Sequence, residues 1–168
     1  MVELSRLINK EYRNKWIVAF DPGETTGACV FHGAKLIHSS QLRTLPLTEG
    51  IDLVDFYVST LGEQYSYGHR YPDLVVYEDY RVYGWKADTH KWADLHTPKL
   101  IGVIEAVCHY YNVPTKCRLA QQAKQFVTDG RLKEWDLWQT GQQHARDAIR
   151  HGVYQLVHGK TKKLKKSA

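Results

Sequence analysis

Several features are scarce in this 168-residue chain, and each absence removes a class of protein. No apolar run approaches the roughly 20 residues of a membrane-spanning helix, so no membrane partner is expected. Cysteine is limited to Cys29, Cys108 and Cys117, an odd number without CxxC spacing; reduced, cytosolic thiols are expected rather than a disulfide framework. The opening MVELSRLINKEYRN is polar, mixed in charge and without a signal-peptide core, which points to the cytoplasm. Internal repeats and Pro/Ser-rich linkers are absent, and only the two ends look loose. Acids are missing from KTKKLKKSA, the stretch after Gly159, which holds five lysines. Without it the remaining basic and acidic residues are equal at 18 each, so the net charge of +5 belongs to the tail. The expected organisation is one domain over residues 1–159 and a basic, disordered tail over 160–168, able to serve as a nonspecific phosphate-binding arm.

What is present is enough hydrophobic residue, 43%, for one domain to bury a core without staples. Trp16 to Phe20 is apolar at every position, the pattern of a strand buried on both faces. Ala28 to Phe31 predicts a second strand, turning at His32-Gly33 into Leu36 to Ser40. Ile51 to Leu61 has helical spacing, and Leu74 to Tyr77 is a short buried strand ending on Glu78. Thr97-Pro98 predicts an N-cap and first helical position. Behind it, Leu100, Ile104, Val107, Cys108 and Tyr111 form the stripe of a helix that Asn112-Val113-Pro114 stops. Thr115 to Leu119 predicts a strand, Gln121 to Thr128 a helix ended by Asp129-Gly130, and Gln142 to Val157 a last helix. A hairpin followed by alternating strands and helices predicts an α/β fold, a mixed central sheet flanked by helices.

Three pieces carry carboxylates. In WIVAFDPGETTGACVF, Asp21 stands where a buried strand opens into a turn, the end of the sheet at which ligands bind in such folds. Gly23 and Gly27 would allow a ligand close to the backbone, and the hydroxyls of Thr25 and Thr26 either hold the loop or touch a phosphate. For Asp21 taken alone, an ordinary Asx-type turn is the favoured account. Glu78 has the same placement, on the face of Leu74 and Val76, whereas Asp79 points to the opposite face. In QQHARDAIRHGVYQLVH, His144, Asp147 and His151 share one arc of a helix, beside the buried arc of Ala145, Ala148, Ile149, Val153 and Leu156. The H-x₃-H or HExxH spacing of a zinc site is absent. Two strand-end carboxylates and an acid on a core-facing helix make an oxygen-rich pocket that repels itself unless cations fill it, and Mg²⁺ or Mn²⁺ suits such ligands. Paired ions of that kind clamp the attacking and leaving oxygens in phosphodiester hydrolysis.

IVAFDPGETTG, VVYED and HARDA, in that order, resemble the RuvC-like Holliday junction resolvases of the RNase H-like superfamily. KLIGVIEAV is similar to the family's central helix and LAQQAKQFVTDG to its basic helix and turn, so the likeness runs from about Trp16 to His158. The resemblance implies an RNase H-like fold and a catalytic, metal-binding set of Asp21, Glu78, His144 and Asp147. His144 departs from the pattern by standing where many members carry aspartate; imidazole can ligate an ion or act as a base. The resemblance further implies two Mg²⁺ per site, with Mn²⁺ able to substitute, and a homodimer acting on four-way and other branched DNA in a bacterial cell or phage-infected host. Lys124 takes the family's lysine position, and an aromatic among Tyr80, Tyr83 and Trp85 is expected to stack on the opened junction. Arg81, Lys86, Lys91, Lys124, Arg131 and Lys133 are the expected phosphate contacts, and the apolar face of the helix from Pro98 to Tyr111 is the candidate contributor to the dimer, unless the monomer's own core consumes the whole stripe.

Three other readings compete. The Asp-Gly-Thr-Gly turn also resembles the phosphate loop of the actin and sugar-kinase superfamily, but the chain has room for only one such domain and lacks a second glycine-rich loop. A nuclease acting on RNA–DNA hybrids would share the same acids. A non-catalytic junction-binding module would keep the fold and lose turnover through His144.

Overall fold

Burial on both faces organises the fold. The computed structural model describes residues 2–64, 71–80 and 95–160. Its sheet has the order β3-β2-β1-β4-β5: β1 Trp16–Asp21, β2 Thr25–His32, β3 Lys35–Arg43, β4 Leu74–Glu78 and β5 Thr115–Arg118. β1 pairs antiparallel with β2 and parallel with β4; β2–β3 is antiparallel and β4–β5 parallel, so the mixed sheet is as expected. Ile17, Val18, Ala19 and Phe20 of the central strand are all fully buried. Burying a large apolar side chain of this kind contributes about 1.5–3 kcal/mol.

Alternation along β1 divides the core in two. Trp16, Val18 and Phe20 pack with Val75 and Tyr77 against α2 (Leu47–Asp55) and α4 (His96–Tyr110). Ile17 and Ala19 pack with Val76 and Phe31 beneath α7 (Gln143–His158). α2 runs through a π-helical turn, Phe56–Thr60, into α3, Leu61–Gln64. The short α5 (Ala120–Phe126) and α6 (Asp129–Glu134) connect β5 to α7.

The structure corrects three expectations and decides one that the sequence leaves open. α4 begins at His96, not at a Thr97 cap: His96 is buried, with Nε2 3.4 Å from the Thr44 hydroxyl, and this tertiary contact extends the helix. Pro98 is then the third helical residue, where an N–H would have no intrahelical partner in any case. Asp129-Gly130 starts α6 instead of ending a helix, because the Thr128 hydroxyl accepts from the Arg131 amide and Asp129 sits at the favourable N-terminal end. The N-terminal segment is not loose. Leu4 (in α1, Leu4–Leu7), Ile8 and Tyr12 are buried in the α7-side core, and Asn9 bonds the carbonyls of Leu156 and Gly159. The apolar stripe of α4 is consumed by the monomer: Leu100, Ile104 and Cys108 are fully buried, and Val107 and Tyr111 pack against them.

Two glycines set how closely α7 lies on the sheet. A Cβ on Gly27 would lie 1.8 Å from the His144 carbonyl oxygen, and one on Gly152 would lie 2.8 Å from the Phe31 ring. Gly27 therefore admits a helix, not a ligand. Gly102 in α4 has nothing within 4 Å. In urea denaturation, Gly27→Ala should destabilise the protein by about 3 kcal/mol or more, the upper end of overpacking costs. Gly102→Ala should stabilise by about 0.5–1 kcal/mol through the helix-interior preference for alanine.

Candidate active site

Because β1 and β4 are parallel neighbours, Asp21 and Glu78 finish side by side, and the alternation that buries Ala19 and Val76 under α7 turns both carboxylates toward that helix. α7 meets them with two imidazoles. Asp21 Oδ2 lies 2.8 Å from His144 Nδ1, and Glu78 Oε2 lies 2.8 Å from His151 Nε2. The histidines are seven residues apart, close to two helical turns, and so share the sheet-facing side. The Gln41 side chain accepts from the His144 amide, tying the start of α7 to β3. The Thr26 hydroxyl, at the start of β2, is buried and bonded to the Gly23 carbonyl of the β1–β2 loop at 3.0 Å and to the Thr44 hydroxyl at 2.9 Å. It holds the loop and is not placed to touch a phosphate.

Asp147 is arranged differently. Its Oδ1 accepts from Arg150, and its Oδ2 lies 3.2 Å from Lys124 Nζ. Arg150 is itself buried and bridges to the Val127 carbonyl and the Asp129 carboxylate. This clamp binds α7 to the α5–α6 junction. It borders a cleft of about 540 Å³ that Lys124, Gln143 and Arg146 also line. As placed, the acids pair off with histidines and cations, and no group of three or more His, Cys, Asp or Glu converges on one point among the described residues.

The donor chemistry nonetheless fits a divalent ion. Burial, then the charge of Glu78, pushes the Asp21 carboxyl up to about 6; the charge of Asp147 adds to this, while the contact with His144 works against it. A bound divalent cation would reverse that push, and carboxylate oxygens with an imidazole nitrogen are a set that Mg²⁺ or Mn²⁺ accepts.

Of the residues expected at DNA, Tyr80 lines a cleft of about 290 Å³ with Pro22, Glu78 and Thr97, beside the acids. Lys124 stands at Asp147, whereas Arg131 stacks over Phe126 and Lys133 over Trp138, both engaged locally. Arg81, Tyr83, Trp85, Lys86 and Lys91 lie outside the described residues, as does the tail from 161 onward. All three cysteines are free. Among the described residues no helix is long and apolar enough to cross a membrane. Sequence reasoning missed two partners. Nothing in the sequence singles out Arg150 as the partner of Asp147, and the spacing in HARDAIRH puts His151 on the arc without indicating that it meets Glu78.

The raised Asp21 value has a consequence for stability. The folded state holds its proton above the ordinary 3.8, so between about pH 4 and 6 it binds more protons than the unfolded chain. Stability from this group is therefore complete below about pH 4 and lost as pH rises through about 6. With chelator present, the melting temperature should carry a falling component across that window that Asp21→Asn removes. Superimposable profiles would mean that Asp21 ionises at its ordinary value.

No protein-family model matches the chain, and neither does any curated protein sequence. Solved structures do match in fold. Thermus thermophilus RuvC in complex with a Holliday junction substrate aligns with a TM-score of 0.61 at 16% identity, over 86% of this chain and 97% of that one. A second structure of Thermus thermophilus RuvC aligns with a TM-score of 0.58 at 17% identity, over 82% and 91%. Five strands in mixed order, flanked by helices and superposable on RuvC over most of both chains, give this protein the α/β, RNase H-like fold that RuvC has.

Proposed function

We propose that the protein is a divalent-metal-dependent endodeoxyribonuclease that resolves four-way and other branched DNA junctions. The observation that carries this reading is the pair Asp21 and Glu78, set side by side at the ends of parallel strands and met by one helix bearing His144 and Asp147. The shared fold supports it, since the solved example holds a Holliday junction substrate. Asp21, Glu78, His144 and Asp147 would hold the metal, two Mg²⁺ or Mn²⁺ in this reading. When bound, such ions neutralise the charge that develops on the attacking and leaving oxygens of an in-line phosphodiester hydrolysis.

The residues themselves bind and orient. Asp21 is buried and its orientation is set by His144, whose side chain is 42% exposed and so can reach a ligand or accept a proton from water. Arg150 fixes Asp147 from the protein side. Lys124, 48% exposed, stands on the solvent side, where its ammonium can meet a backbone phosphate. Tyr80 offers a ring beside Glu78 for an unpaired base. A homodimer completes the proposal, because resolving a two-fold junction takes two symmetric nicks. With the inner face of α4 buried in the monomer, the contact between copies lies elsewhere. The lysine-rich tail would add affinity for any DNA form.

The test is cleavage of a synthetic four-way junction, each strand labelled in turn, with Mg²⁺ or Mn²⁺, beside an RNA–DNA hybrid and a linear duplex. Paired nicks on opposing strands are expected, and light scattering should return the mass of a dimer. Asp21→Asn and Glu78→Gln should each lower cleavage by more than the roughly 10–100-fold typical of losing an outer partner, while junction binding persists. His144→Asp should keep activity. A monomer that cuts hybrid and duplex as well as the junction would reduce the reading to a general RNase H-like nuclease.

A further inference from the structure

His151 is wholly buried in the middle of α7, two turns beyond His144. Its Nε2 is 2.8 Å from Glu78 Oε2, and its Nδ1 is buried with no hydrogen-bond partner among the described residues. An apolar side chain of similar volume would fill the same space without stranding a ring nitrogen, so packing alone does not explain an imidazole here. What the imidazole provides is one directional bond to a carboxylate. A carboxylate oxygen accepts, so Nε2 carries the hydrogen. The other neutral tautomer would set an Nε2 lone pair against a carboxylate oxygen and bury an N–H with no acceptor. His151 is therefore a donor to Glu78, not a ligand. The two imidazoles of α7 also differ in access, since the His144 side chain is 42% exposed and that of His151 is 0% exposed.

We propose that His151 is a positioning residue: its Nε2–H holds Oε2 of Glu78 and so leaves Oε1 for the divalent ion. The inference rests on the metal-nuclease reading and deepens it. Glu78 is the least enclosed of the three acids, with its side chain 22% exposed against 12% for Asp21 and 7% for Asp147. Asp147 is gripped by Arg150 and Lys124, and Asp21 by His144. His151 plays the corresponding part for the acid that most needs its rotamer fixed, from the protein side, where solvent cannot compete for the bond.

The test compares full-length wild-type protein with His151→Leu and His151→Gln. Leucine keeps the bulk and removes the donor; glutamine restores an N–H donor at similar reach. Mn²⁺ affinity is read by calorimetry without DNA, and kcat and KM are read on a four-way junction. His151→Leu should weaken Mn²⁺ binding by about 10–100-fold and lower kcat with little change in KM, and His151→Gln should recover most of both. Should the leucine variant fail to fold, His151→Met takes its place as the donor-less side chain. Wild-type Mn²⁺ affinity in a folded donor-less variant overturns the proposal, as does a glutamine variant no better than leucine, which would make shape the requirement. If the wild-type chain itself neither takes up Mn²⁺ nor cuts a junction, the nuclease reading fails, and the positioning role falls with it.

Discussion

The close seating of α7 on the sheet is the contact from which the rest follows. The first turn of the helix lies against Gly27 and its middle lies over Phe31 at Gly152, neither of which leaves room for a side chain. Ala145 and Ala148, both fully buried, continue the same small-residue face. At this separation a histidine on the helix reaches a strand-end carboxylate directly, and both pairs do so at 2.8 Å. A helix displaced by the width of one methyl group would stretch both bonds beyond hydrogen-bonding range. The glycine in β2 thus acts on the site without touching a ligand. It lets Asp21 and His144 meet.

Electrostatics then determines what that close seating can support. Burial and the charges of two neighbouring carboxylates, Glu78 and Asp147, raise the pKa of Asp21, and the three acids together would weaken the fold without positive or hydrogen-bonding partners. The chain supplies a different partner to each: His144 to Asp21, His151 to Glu78, and Arg150 with Lys124 to Asp147. Three of those four partners come from α7 itself. Breaking a buried pair leaves an uncompensated group, so the two buried partners, His151 and Arg150, contribute to stability as well as to geometry.

Further along, α7 is secured by polar bonds as well as by packing. The Gln155 side chain donates to the Tyr12 hydroxyl and accepts from Arg118, and the Asn9 amide bonds to the Leu156 carbonyl. The N-terminal segment and the end of β5 therefore grip the last turns of the helix. The opposite face of the sheet is a separate apolar layer, where α2 and α4 bury Phe20, Tyr57 and Ile104. One face gives bulk hydrophobic stability, and the other combines a core with the candidate site.

Local patterns are legible because they depend on neighbours in the chain. Unbroken apolarity from Trp16 to Phe20 marks a central strand, period-two alternation puts Glu78 on the face of Val76, and helical spacing puts His144, Asp147 and His151 on one arc. By itself the sequence determined the fold class, the acids at the strand ends and the histidine that stands among them. Only the tertiary structure decided which group each acid meets. Glu78 and His151 are 73 positions apart, and no local rule brings them together. The same holds for Gly27, whose neighbour is a helix backbone more than a hundred residues on, and for Leu4, Ile8 and Tyr12, whose spacing gains meaning only against α7. It holds also for Asp129-Gly130, where the Thr128 cap turned a stop signal into a helix start. Propensity and periodicity act over one or two turns, whereas pairing depends on how closely two distant elements can approach. That distance is set by side-chain volume at the contact, and here it is set by two glycines.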